Sequence, residues 1–214
     1  MRVGQSWAAA RVTLAIAIVT AAAWLLVDLA GALGQLAVWA GFIPARADPY
    51  VDDGGLLPFI LTPLGATLLH ANIVHLGFNM LLLVYCGRAV ENLLGPLALA
   101  LLYVVGAYVA ALGHYLTQPE SGMPVIGASG AVSAVIGAYA MLFGENKVRV
   151  EHPGLALALH AMWLAAAWVA LQLLVGIAFN TTGARIAIWA HIGGFFVGVA
   201  LARPLLRMRA FGVR

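Results

Sequence analysis

Long apolar stretches separated by short polar, glycine- or proline-bearing breaks run along most of this chain. The stretches are continuous and near 20 residues, which predicts membrane-crossing helices; strands of a membrane barrel would be about ten residues long with alternating polarity. Six spans are predicted, at 9–30, 72–94, 96–116, 129–143, 155–179 and 184–206. Gly95-Pro96 separates the second from the third, because proline lacks the N–H that a continuing helix needs. His152-Pro153-Gly154 does the same before the fifth, and Asn180-Thr181-Thr182-Gly183 divides the fifth from the sixth. The expected fold is therefore all-α: a polytopic membrane protein built as a six-transmembrane-helix bundle, one domain over residues 1–214.

The connection from about Gly31 to Ala71 breaks this rhythm. It holds an apolar run, Leu33–Phe42, too short to span, then Asp48, Asp52 and Asp53, and a second apolar patch, Leu56–Leu69, interrupted by Pro58 and Pro63. A long loop that stays apolar is expected to lie partly in the membrane, as interfacial or re-entrant structure between spans one and two. A loose outer linker is the alternative, and its Trp, Phe and Leu content argues against it.

Composition changes the picture only by excluding classes. With 64% hydrophobic and 9% charged residues, and mean hydropathy +0.99, the chain lies outside the range of soluble domains. The net charge of +3 hints at nucleic acid, but the positions of the charges point to topology. An even number of spans puts both termini on one side. That side carries Arg2, Arg11, Arg88, Lys147, Arg149, Arg203, Arg207, Arg209 and Arg214, and the other only Arg46 and Arg185. The asymmetry predicts cytoplasmic termini. Arg2 and Arg11 before an apolar run resemble a signal peptide, yet the run is long and has no clear small-residue cleavage site before Asp28, so an uncleaved first span is expected. Asn180-Thr181-Thr182 fits a glycosylation pattern, but the compact length and lack of a targeting segment favour a prokaryotic inner membrane. Cys86, the single cysteine, excludes an intramolecular disulfide and is read as a core residue.

Against this apolar background a few polar residues stand out, and polar side chains at membrane depth are functional candidates by default. Ser129 follows Gly127-Ala128 and opens the short fourth span; fifteen residues rise only about 22 Å, less than the roughly 30 Å hydrocarbon core, which buries its outer end. A helix N-terminus there favours developing negative charge, as an oxyanion site requires. Gly130, Ser133/Ala134 and Gly137 form a small-residue face, and Gly194 and Gly198 in span six form a matching Gly-x-x-x-Gly face. Contact between these faces would bring His191 to Ser129 as base to nucleophile. In span two, His75 and Asn79 are four residues apart on one face and offer donors to a tetrahedral intermediate, with His70 in the preceding turn. Bland readings stand beside these: a serine N-cap, a satisfied structural histidine, or a zinc ion on three histidines, although no carboxylate or cysteine joins them.

The motifs Gly-x-Ser-Gly at 127–130, Ala-His-x-x-Gly at 190–194 and His-x-x-x-x-His-x-x-x-Asn at 70–79 resemble, in that order, those of the rhomboid intramembrane serine proteases. The resemblance covers about Leu61 to Gly198, a core at 61–198. It implies a Ser–His dyad without an acidic third member: Ser129 as nucleophile, His191 as general base, and an oxyanion hole of His75, Asn79 and the Ser129 N–H. His70, Gly127, Gly130 and Gly194 would support the site, and no metal or cofactor is implied. The implied substrates are single-span membrane proteins cleaved at a site open to the outer face. Rival functions are an inactive client-binding relative and, more remotely, a transporter. Two departures matter. Leu61-Thr62 replaces a Trp-Arg pair common in the family, and Ser133 stands where an aromatic ring often packs on the base. Glu91, with Arg88 and Gly95, resembles a family Glu-x-x-x-Gly motif, or more simply a capped helix end with an ion pair.

Overall fold

The computed structural model describes residues 10–50, 57–145, 150–180 and 186–210. Expectations resting on Arg2, Ala9, Asp52, Asp53, Leu56, Lys147, Arg149, Thr181, Thr182, Gly183, Ala184, Arg185 and Arg214 lie outside the described residues. The described chain is mainly helical: α1 (Arg11–Leu29), α2 (Leu33–Ala40), α3 (Thr62–Leu68), α4 (Ile73–Leu94), α5 (Pro96–Thr117), α6 (Ser129–Phe143), α7 (Pro153–Asn180) and α8 (Ile188–Ala210). Among the described residues, α1, α4, α5, α7 and α8 are long and apolar enough to cross a membrane. Two shorter apolar helices stand beside them, Phe59–Leu68 and the 15-residue α6.

Backbone chemistry sets the helix ends. Gly95 takes φ +95° and its N–H closes on Glu91 O at 2.7 Å, so Pro96 can open α5 where no N–H is needed. α7 begins at Pro153, two residues before the expected start, for the same reason, and His152 Nδ1 accepts from the Leu155 N–H at 3.2 Å. The last helix begins at Ile188 rather than near 184. Ile186 and Ala187 are held in a tight turn by the Ile188 N–H on Ile186 O (2.9 Å), which is incompatible with helix there.

α6 is the central helix. Nine of its residues, among them Gly130, Ser133, Ala134 and Gly137, are buried, chiefly against α5 and α8. The small residues set how closely these helices approach. A Cβ on Gly198 would overlap Ala134 O, one on Gly194 would overlap Gly130 O, and one on Gly137 would overlap Phe195 O. Backbone-to-backbone contact of this kind supplies dispersion attraction where lipid removes the hydrophobic contrast.

α1 docks on α4 through one buried carboxylate. Glu91, 1% exposed, accepts from Val12 N–H (2.9 Å), Thr13 N–H (2.8 Å) and Thr13 Oγ1 (2.7 Å), satisfying first-turn donors of α1 from another helix. One turn away, Gly87 leaves room for the Thr13 methyl, 3.0 Å from where its Cβ would lie. Beyond the helix-end role expected of it, Glu91 thus acts as an interhelical cap. Glu91→Ala should lower the unfolding free energy in mixed micelles by about 2–4 kcal/mol, since it orphans buried donors that bond a charged acceptor. Glu91→Gln should keep part of that stability.

The described parts of the connection between α1 and α4 are tied into the fold. Phe42 and Val125 exchange N–H···O bonds of 3.0 and 2.8 Å, and the Ala45 N–H reaches Ser121 O at 3.1 Å. Phe42, Ala66 and Ala111 form a small core with Phe59, Tyr115 and Val125 packed on it. Arg46, buried, donates to Leu57 O, and Thr62 Oγ1 donates to Phe59 O at 2.7 Å. These contacts anchor the segment where Leu61-Thr62 replaces Trp-Arg, and they fasten it to the strand-like approach to Ser129.

Candidate active site

The loop 125–128 is fixed before the helix begins. The Gly127 N–H donates to Ala66 O (2.9 Å) and the Ala128 N–H to His70 Nε2 (3.3 Å), so α3 and the turn after it hold the loop from one side. Gly127 adopts φ +120°, a region open to glycine. The first rung of the α6 ladder is the Val132 N–H on Ala128 O at 2.9 Å, which leaves the amides of Ser129, Gly130 and Ala131 ahead of the ladder. Ser129 therefore opens α6 with free-end amides and the positive end of the helix dipole beside its own Oγ.

His70 is 1% exposed and accepts at Nε2, which requires a neutral ring protonated at Nδ1. Burial, and then the His75 ring 4.9 Å away, lower its pKa from the ordinary histidine value to about 4. The unfolded chain takes up this proton near pH 6.5 and the folded chain only near 4, so stability is full above 6.5 and declines as pH falls toward 4. The melting temperature in detergent should fall across that window, and His70→Gln, which keeps an acceptor but does not titrate, should flatten the fall.

His191 lies in the first turn of α8 and bridges two helices. Its Nε2 is 2.7 Å from Ser129 Oγ and its Nδ1 is 2.8 Å from Gln172 Oε1 on α7. Trp168, one turn before Gln172, donates from Nε1 to His191 O at 3.2 Å and stacks on Phe195 with ring centroids 4.6 Å apart. Ser133 turns back along its own helix, its hydroxyl donating to Ser129 O at 2.7 Å. The ring is thus contacted from α7 at the height where α6 carries a serine.

The other candidates take distinct places. A Cβ on Gly127 would lie 2.8 Å from His75 Nε2 and 3.7 Å from Ser129 Oγ, so glycine leaves open a small volume bordered by both groups. His75 is half-buried, and its N–H is held by the Asn72 side chain at 2.8 Å, which caps α4. Asn79 is buried one turn further along, and one of its amide protons goes to His75 O at 2.8 Å rather than toward Ser129. Gly130 and Gly194 sit in the α6–α8 contact described above. For a zinc ion the donor set is largely spent, because both nitrogens of His191 and Nε2 of His70 already have protein partners.

Gln172 and Trp168 were not singled out from the sequence. The signal was present: Gln172 is an amide in the interior of an apolar span, and a polar side chain there is costly unless it has a partner. Trp168 lies four residues earlier on the same face.

A family model described as the Rhomboid domain matches residues 60–208, which include Ser129, His191, His75, Asn79 and Gln172. The chain belongs to the rhomboid family. It is similar to the Rhomboid protease GlpG of Enterobacter sp. (strain 638), at 34% identity over 139 residues, 63% of this chain and 45% of that protein. The Rhomboid protease GlpG of Salmonella choleraesuis (strain SC-B67) is 34% identical over 138 residues, 63% of this chain and 44% of that protein. The chain spans about half the length of the curated relatives it matches. Membership of the rhomboid family, together with five helices of membrane-crossing length among the described residues, makes this an integral membrane protein.

Proposed function

We propose that this rhomboid is an intramembrane serine endopeptidase that cleaves transmembrane segments with a Ser–His dyad. The observation that carries this reading is the 2.7 Å contact of His191 Nε2 with Ser129 Oγ at the start of a central helix. Ser129 Oγ attacks the scissile carbonyl as His191 takes its proton, and His191 returns that proton to the leaving amine. Water, deprotonated by the same ring, then hydrolyses the acyl-enzyme. The oxyanion is held by the Ser129 N–H with His75, which borders the volume beside Gly127, and by the remaining amide proton of Asn79. The chemistry needs no metal or cofactor.

In this reading the domain comprises residues 1–214 with its core at 61–198, and α6 is a sixth, short span that leaves Ser129 below the outer surface. Both termini are cytoplasmic, the site is wet from the outer face, and the α1–α4 connection lies partly in the outer leaflet. Substrates are single-span proteins with small or helix-breaking residues near the cut, since a helical carbonyl is shielded by its own hydrogen bonds. Purified protein in liposomes should cleave a single-span reporter and react with a fluorophosphonate. Undiminished cleavage by Ser129→Ala, or undiminished labelling of His191→Ala, would sink the reading.

A further inference from the structure

We infer that Gln172 is a positioning residue that sets the tautomer and orientation of His191, in effect a neutral third member of the site. The inference rests on the dyad reading above. A general base must present a lone pair at Nε2 to the serine, so the ring proton must sit on Nδ1, and the partner of Nδ1 decides where that proton goes. Here the partner is the Gln172 side-chain oxygen at 2.8 Å, which can only accept. The amide is 5% exposed, so water does not compete freely for the same proton.

Two further features hold Gln172 in register. Trp168, one turn earlier on α7, bonds the backbone carbonyl of His191 itself at 3.2 Å, and its ring stacks on Phe195 at 8° between planes. The same two turns of α7 thereby grip the backbone and the side chain of one residue. On the opposite side Ser133 gives its hydroxyl to Ser129 O, so the helix that carries the nucleophile directs that side chain away from the ring. The orienting contact that an aromatic ring on α6 would supply comes instead from an amide on α7.

A neutral amide differs from a carboxylate in its consequences. It fixes the tautomer and the ring plane, but adds no full charge to stabilise the imidazolium that forms during acylation. Its loss should therefore cost less than loss of the acid from a serine triad, where a wrong tautomer lowers kcat by about 10⁴-fold.

The test compares Gln172→Met, Gln172→Asn and Gln172→Glu with the wild type, on a single-span reporter in liposomes, with Ser129→Ala as the control. Methionine keeps the volume without an oxygen, and asparagine keeps the amide but retracts it by one carbon. Glutamate keeps an acceptor in place whether or not it is ionised. Met and Asn should each lower kcat by about 10²-fold with KM changed less than about twofold. Glutamate should restore kcat to within about threefold of the wild type. Wild-type kcat in either Met or Asn overturns the inference, and so does a Glu variant as impaired as both, which would mean packing alone. If Met fails to fold, the Asn and Glu pair decides. Wild-type cleavage indifferent to Ser129→Ala would instead defeat the protease reading, and this inference with it.

Discussion

Ser129→Ala and His191→Ala are each expected to lower kcat for a transmembrane reporter by about 10⁴-fold or more, ~5.5 kcal/mol of transition-state stabilisation. The expectation follows from the single contact between Nε2 and Oγ at 2.7 Å: without the oxygen there is no acyl-enzyme, and without the ring the hydroxyl keeps its proton. If the two side chains act as one unit, as proposed, the double variant should be no slower than the worse single variant. KM should move little, since neither group supplies much ground-state binding. Single-turnover cleavage and fluorophosphonate labelling measure the two halves of the claim separately. A double variant slower than either single variant by the product of their losses would show that the residues act independently and are not a dyad.

How much of this was legible beforehand depends on the range of the interactions. The apolar runs gave the helices to within a few residues, and the short helix 129–143 has the same limits in sequence and structure, because it starts at a glycine-rich turn and stops at Gly144. The small-residue faces of α6 and α8 could be paired by eye, since Gly130, Ala134 and Gly137 share one helical spacing with Gly194 and Gly198. Contacts that depend on how distant helices rotate were not readable. Nothing local to Glu91 or Arg88 shows that the Glu91 carboxylate reaches the first turn of α1, 78 residues away in sequence. Gln172 bonds a ring 19 residues on, across a connection whose length does not reveal which face of α7 turns inward. The bridge between Phe42 and Val125 has no local signal either, since two residues are too few to print a strand pattern. Ser133 left open what contacts the His191 ring: its hydroxyl goes to Ser129 O, and the ring's Nδ1 meets Gln172 on another helix.

Gly194→Ala should be among the most damaging substitutions away from Ser129 and His191. Its Cβ would overlap the carbonyl oxygen of Gly130, the residue after Ser129, so α8 must move away from α6 at the level where His191 meets Ser129. A misplacement of about 1 Å costs on the order of 10²-fold in rate, while overpacking of this kind costs about 1–3 kcal/mol of stability. Gly137→Ala supplies the control. Its Cβ would overlap Phe195 O two turns further along α6, in the same interface but away from the dyad. Both variants should therefore lose comparable stability, measured by thermal unfolding in detergent. Only Gly194→Ala should lose about 10²-fold in kcat, with Gly137→Ala kept within about tenfold of the wild type. Equal losses of activity in the two would mean that the α6–α8 contact matters for stability alone. The small-residue seam would then not be what sets the spacing between Ser129 and His191.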